Sequence, residues 1–274
     1  MSITSKLTRF SVILSMAATL TACGGGGDGG TAISIPSGPI ATVGAAQGYY
    51  TGSFSSTNFP NGKFDNLVLD DDSYYALYGN RDTNTGAFVV YGLIQGNGIA
   101  LNDGTFSSSN LKDYFFDGQV FNGSLTATYQ PGATFRGTVL ESGQSIALSG
   151  LAPTAGSTNY IYNTPAVLST ITGSWSGTNL GGAAQAFTVF ASGALSGTDA
   201  NGCGYSGSIL PRSSGKNVFN VNLTINRSTA CGISSGIIAS GIATASVLSN
   251  GGQQLIISVT SSDRNLGSVL FATR

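Results

Sequence analysis

From residue 48 onward the chain alternates apolar and polar residues in short runs, and turn-forming pairs interrupt these runs about every ten residues. Between 48 and 150 the interruptions are Asn61-Gly62, Asp71-Asp72, Asn84-Thr85-Gly86, Asp103-Gly104, Asn122-Gly123, Pro131-Gly132 and Ser142-Gly143, each flanked by β-forming residues. Asn-Gly and Asp-Gly accept the positive φ that tight hairpins require, so the spacing predicts a meander of about eight short antiparallel strands. Leu125, Ala127 and Tyr129 alternate with threonines, as in a sheet with one buried and one wetted face. Phe88-Val89-Val90-Tyr91 is apolar at every position, which predicts that something covers both of its faces.

The second half repeats the theme. Residues 150–163 read as a looser joint, and Thr164-Pro165-Ala166-Val167-Leu168 predicts a short helix with Thr164 as N-cap and Pro165 at its first position. Trp175-Ser176-Gly177 then opens a module much as Tyr50-Thr51-Gly52 opens the first. Phe219, Val221, Leu223 and Ile225 alternate with Asn220, Asn222, Thr224 and Asn226, predicting a strand over 217–226 that pairs with 203–210 across the turn Pro211 to Lys216. A last hairpin joins 241–248 to 253–260 through Asn250-Gly251, and Gly267 to Thr273 supplies a closing strand. Sheets built this way leave reactive edges unless they close or pack on one another. The fold class expected is therefore all-β, with two small antiparallel up-and-down barrels, or sandwiches, in tandem.

Composition supports this. Of 274 residues 40 are Gly and only 8% are charged, a mixture that disfavours helix. No histidine is present, which removes the commonest general base, the commonest metal ligand, and the Ser-His-Asp and Cys-His triads. No basic patch suits nucleic acid.

The N-terminus has a different pattern. Lys6 and Arg9 precede an apolar stretch from Phe10 to Leu20, too short to span a bilayer of about 30 Å as a helix. The stretch ends in Leu20-Thr21-Ala22-Cys23, which resembles the lipobox of bacterial lipoproteins. The resemblance implies cleavage between Ala22 and Cys23, a diacylglyceryl thioether on Cys23 and an N-acyl chain on the new terminus. Without Lys6 and Arg9 the net charge falls to about −3. Residues 23–47 then read as the lipidated cysteine followed by a Gly-rich tether with an r.m.s. reach of roughly 27 Å. Gly24, rather than Asp, after the cysteine resembles lipoproteins sorted to the outer membrane. With Cys23 occupied, Cys203 and Cys231 remain as an even pair in an oxidising compartment, which favours a disulfide over two buried thiols.

A second resemblance runs from Gly202-Cys203 through Tyr205-Ser206-Gly207, Pro211 and Gly215-Lys216-Asn217-Val218-Phe219 to Cys231. This stretch resembles the C-terminal module of two-part proteobacterial envelope lipoproteins of unassigned function. In style, the aromatic-x-Gly strand openings are similar to the barrel lobes of the transferrin-binding-protein B and factor H-binding lipoproteins, and no residue-level role carries over. The organisation expected is a signal peptide over 1–22, lipidated Cys23 and tether over 23–47, a barrel over 48–152, a linker with a short helix over 153–170, and a disulfide-bearing barrel over 171–274.

Candidate chemistry is sparse. Asp70, Asp71 and Asp72 lie near Tyr74, Tyr75 and Tyr78, but adjacent aspartates between two strands fit a turn better than a calcium site or a catalytic pair. Asn80-x-Asp82-x-Asn84-x-Gly86 lacks the closing Glu of a calcium loop. Ser213-Ser214-Gly215-Lys216 matches S-x-x-K in a hairpin turn, where that chemistry is not found. Residues 48–152 hold 17 aromatics against 6 in 170–274. Tyr49, Tyr50, Tyr74, Tyr75, Tyr78, Tyr114, Phe115 and Phe116 therefore form a possible binding face, the competing reading being that they fill the barrel and the seam between modules. The expected function is a non-catalytic binding or structural module of the Gram-negative outer membrane, held by its acyl chains, facing the periplasm or the surface, with a protein or glycan as possible ligand and neither cofactor nor metal. The alternatives are a carboxylate-dependent glycan enzyme and a lipocalin-like carrier of a small apolar ligand.

Overall fold

The computed structural model describes residues 38–56, 59, 61–81, 88–226, 231 and 236–274. Cys23, its leader, the upstream part of the tether and the loop containing Asp82 and Asn84 lie outside the described residues.

The first module consists of β1 (Gly48–Ser55), β2 (Gly62–Val68), β3 (Ser73–Arg81), β4 (Phe88–Asn97), β5 (Ile99–Ala100), β6 (Thr105–Phe115), β7 (Val120–Gln130), β8 (Thr134–Glu141) and β9 (Gln144–Leu151). All pairings are antiparallel, β1 pairs with β9, and β4 pairs with β6, so eight strands form a ring with the two-residue β5 as a spur on β6. The second module is a closed barrel of β10 (Gly173–Asn179), β11 (Ala184–Val189), β12 (Ala194–Asp199), β13 (Gly204–Pro211), β14 (Phe219–Asn226), β15 (Ile237–Val247), β16 (Gln253–Ser261) and β17 (Gly267–Thr273). The predicted β13–β14 and β15–β16 hairpins and the closing strand are all present. Closure removes the unpaired edges that an open meander would expose.

The two interiors differ. Trp175, Phe187, Leu195, Phe219, Val221 and Leu255 belong to one buried cluster that fills the second barrel. The Trp175 indole donates to the Ile171 carbonyl at 2.7 Å, and the Arg274 guanidinium lies 4.3 Å from its ring centroid. In the first barrel Tyr50, Val68, Tyr74, Phe106 and Phe135 pack at one end around Ala46, which has no exposed surface. The large rings fit because glycines face them. Tyr78 stands opposite Gly92 and Tyr74 opposite Gly96, and a Cβ at either glycine would run into the facing ring.

Two expectations need correction here. The tether does not extend to residue 47: Ala41 bridges Leu101, Thr42 N–H donates to Ala100 O at 2.8 Å, and Ala46 is core. This segment closes one end of the first barrel with small residues that the composition alone did not distinguish from a linker. The helix at 164–168 does not form either; a single 3-10 turn spans Leu168–Thr170, with no side-chain cap at Val167. Ala166 N–H donates to Lys216 O instead, so pairing with the second barrel supplies the partner that a helix would have given it.

Cys203 and Cys231 are joined as a disulfide with their Cα atoms 4.7 Å apart. Lys216 of the S-x-x-K match donates to Asn163 Oδ1 at 2.9 Å and lies over the Tyr162 ring, a structural role in the linker.

Candidate functional site: the open end of the first barrel

The proposed aromatic face does not exist as a surface. Tyr50, Tyr74, Tyr78 and Tyr114 are all buried. Strand parity sends them two ways. Tyr50 and Tyr74 fill the first barrel, and Tyr74 and Tyr78 also line its cavity. Tyr49 and Tyr75 pack against Leu67, Leu69, Tyr162, Val218 and Ile242 between the barrels, and Tyr114 clusters with Leu93 and Val269. Phe115 is part of the cavity wall, and Phe116 alone of the eight is exposed, at 45%. The aromatic excess of the first module thus fills a barrel interior and an inter-barrel seam.

Asp70, Asp71 and Asp72 form the β2–β3 turn, and each carboxylate is structurally engaged. Arg212 Nε meets Asp70 Oδ1 at 2.5 Å and its Nη2 meets Asp71 Oδ2 at 2.8 Å, tying the barrels together. Asp72, at φ 60°, accepts from Gly44 N–H at 2.9 Å and Ala100 N–H at 3.4 Å, fixing the closing segment. Burial pushes the Asp71 carboxyl up, but hydrogen bonds from Ser73 and Arg212 outweigh it and hold the group below its ordinary value. Among the described residues, no three Cys, Asp or Glu side chains cluster as a metal site would require.

The opposite end of the first barrel is hollow. A cavity of about 330 Å³ opens between the β1–β2, β6–β7 and β8–β9 connections, walled by Phe54, Phe59, Phe64, Phe121, Leu125 and Val139 among others. Set into this apolar wall are Tyr78, Asp113, Glu141 and Asn66. Asp113 is 6% exposed, and the Tyr78 hydroxyl lies 2.9 and 2.7 Å from its two oxygens. Asp113 and Glu141 line the same stretch of wall, close enough that each affects the other's ionisation. They approach diagonally across β7: Glu141 shares a register row with Gly123 and Leu111, and Asp113 lies two residues along β6 from Leu111. Burial, then the neighbouring Glu141 charge, raises the Asp113 carboxyl well above the carboxylate range, and burial raises Glu141 as well. Two neighbouring carboxyls in an apolar wall oppose each other's ionisation, so the second negative charge is the costlier one. Asn66 is 4% exposed and its Oδ1 has no partner.

Neither acid belongs to a motif, yet each carries a signal in the sequence. Asp113 falls between Leu111 and Phe115 on the apolar phase of β6, and Glu141 continues the phase of Val139 on β8. An acid on the inward parity of a strand is costly unless it is paired.

No protein-family model matches the chain, and no curated protein matches its sequence. Among solved structures it is similar to isotype 1 transferrin binding protein B from serogroup B Neisseria meningitidis, at 13% identity over 78% of this chain and 65% of that one, with a TM-score of 0.25. A double mutant of transferrin binding protein B from Haemophilus parasuis Hp5 matches at 8% identity over 82% of this chain and 75% of that one, with a TM-score of 0.24. Overlaps this loose say nothing of what the protein binds.

Proposed function

We propose that this protein is a non-catalytic envelope lipoprotein, anchored through acyl chains on Cys23, whose first barrel takes up a small, largely apolar ligand in its open end. The observation that carries the binding reading is the contrast between the barrels: the second is filled by its own side chains, whereas the first keeps an aromatic-walled hollow with an unpartnered amide oxygen inside. Pockets of about 300–1,000 Å³ with apolar walls and a few placed polar groups are the usual form of small-molecule sites. The anchor is supported by the lipobox resemblance at Leu20-Thr21-Ala22-Cys23. Several acyl chains, at about 0.8 kcal/mol per buried methylene, make such attachment effectively permanent.

The glycan-enzyme alternative is disfavoured by geometry. Glycoside hydrolysis needs its carboxyls about 5 Å or more apart on either side of a sugar, whereas Asp113 and Glu141 sit side by side on one stretch of wall, diagonally across β7. The Asp70 to Asp72 cluster is engaged by Arg212 and by backbone amides.

Native mass spectrometry of the full chain purified from its own host tests the carrier reading, with a bound small molecule expected and an Ala76→Phe variant, which narrows the cavity, expected to lose it. Cys23→Ser should move the protein from the membrane to the soluble fraction or leave the leader attached. Membrane retention with a cleaved leader would overturn the anchor.

A further inference from the structure

The polar groups of the hollow restrict what can enter it, and this inference rests on the hollow being the binding site. Among its described lining residues no Lys or Arg occurs, and the only ionisable groups besides tyrosine are Asp113 and Glu141. A carboxylate or phosphate ligand would find repulsion there and no cationic partner. A wholly neutral apolar ligand would leave Asn66 Oδ1 unpartnered and the acid pair desolvated, both unfavourable. A ligand with N–H donors and a positive charge answers both needs. It can donate to the Asn66 amide oxygen, which is acceptor-only, and to a carboxylate of the pair. The ring faces that wall the cavity, Phe54, Phe59, Phe64 and Tyr78 among them, also favour a cation through their quadrupoles.

We infer that the hollow of the first barrel selects small organic cations: a protonated amine carried on an apolar, ring-sized body, with the ammonium between Asn66 and the Asp113–Glu141 pair.

The proton balance follows from the two acids lying side by side in the wall. In the free protein burial and the neighbouring Glu141 charge favour a proton on Asp113, which limits the negative charge of the pair. A bound ammonium stabilises both carboxylates, so the Asp113 proton leaves to solvent and each acid accepts a hydrogen bond from the ammonium. A neutral ligand of the same shape has no charge to stabilise the second carboxylate and releases no proton.

The test uses the full chain in nanodiscs, with empty discs as blank, and three probes with one naphthalene body: 1-naphthylmethylammonium, 1-naphthylmethanol and 1-naphthoate. Calorimetric titration should give the ammonium at least tenfold tighter binding than the alcohol, and naphthoate the weakest binding. Repeating the ammonium titration in buffers of different ionisation enthalpy should show up to one proton released, and none for the alcohol. Glu141→Gln and Asp113→Asn, two isosteric variants made so that one misfolding does not end the test, should each abolish the proton release and cut the ammonium's advantage over the alcohol, both measured on the same variant, at least threefold. Equal affinity for all three probes would keep the hollow as a site but overturn its cation selectivity. No binding of any probe by the wild type, in a sample whose circular dichroism reports intact β structure, would overturn the carrier reading and this inference with it.

Discussion

The Tyr114 ring occupies the space above Gly267 that any side chain at that position would need, and its hydroxyl donates to the Arg264 carbonyl at 3.0 Å. The contact joins β6 of one barrel to β17 of the other across 153 residues of sequence. Gly267→Ala is therefore expected to push the ring off the seam and cost about 1–3 kcal/mol by overpacking. Gly181→Ala, where a Cβ meets only ordinary contacts, should stay within about 0.5 kcal/mol. Urea unfolding of both variants, and a Tyr114→Leu/Gly267→Ala double mutant that recovers part of the loss, check the relationship.

Asp113 sets an alkaline limit on stability. Its folded carboxyl holds a proton to a pH well above the ordinary carboxylate value of about 4, so between those two values the folded state binds more protons than the unfolded one, and stability falls as pH rises. Asp113→Asn removes the titration while keeping an oxygen for the Tyr78 hydroxyl. The variant should be about 1–3 kcal/mol more stable than wild type at pH 8, with little difference at pH 4. Urea midpoints across that range measure it, and a wild type that gains stability from pH 5 to 8 relative to the variant would contradict the assignment.

The Arg212 clamp has the opposite sign. Asp71 is held below its ordinary value, so its contribution is present above about pH 4 and is lost as pH falls through the folded value. Both aspartates are partly exposed, so solvent screening keeps the clamp small. Arg212→Ala should cost about 1 kcal/mol at pH 7 and distinctly less at pH 3. Small-angle scattering of the variant should show the barrels less tightly docked at neutral pH.

Reducing the Cys203–Cys231 disulfide releases a constraint across a sequence separation of 28. The chain-entropy relation gives a loss of about 3.5 kcal/mol. Reduction or Cys203→Ser/Cys231→Ser should lower the melting temperature of the second barrel and leave probe binding by the first unchanged, which thermal scans with and without reductant can separate.

Much of the strand plan could be read from the chain. Gly267 to Thr273, the alternation from Phe219 to Asn226 and the Asn250-Gly251 turn each carry enough local information to fix an element, because strand period and positive φ are local properties. The aromatic face failed for a non-local reason. The register shifts between Ser108 and Leu111, so Phe106 and Ser108 share the inner face with Leu111 and Asp113, while Tyr114 is sent outward to the other barrel. A bulge changes the parity of everything after it, and nothing in Ser-Ser-Ser-Asn announces one. The Asp113–Glu141 pair is non-local too: its members lie on β6 and β8 and come together only diagonally across β7. Residues 41–47 read as linker because Ala, Thr and Gly suit a linker and a tightly packed floor equally well.

That floor gives the molecule a direction. The meander places the β2–β3 and β5–β6 turns, where Gly44 and Thr42 bind, at the end of the barrel opposite the Phe59, Phe115 and Glu141 connections. The polypeptide therefore enters this cup through its base. Because the chain arrives there, its incoming segment lies away from the mouth, whose described rim is left to the β1–β2, β6–β7 and β8–β9 connections.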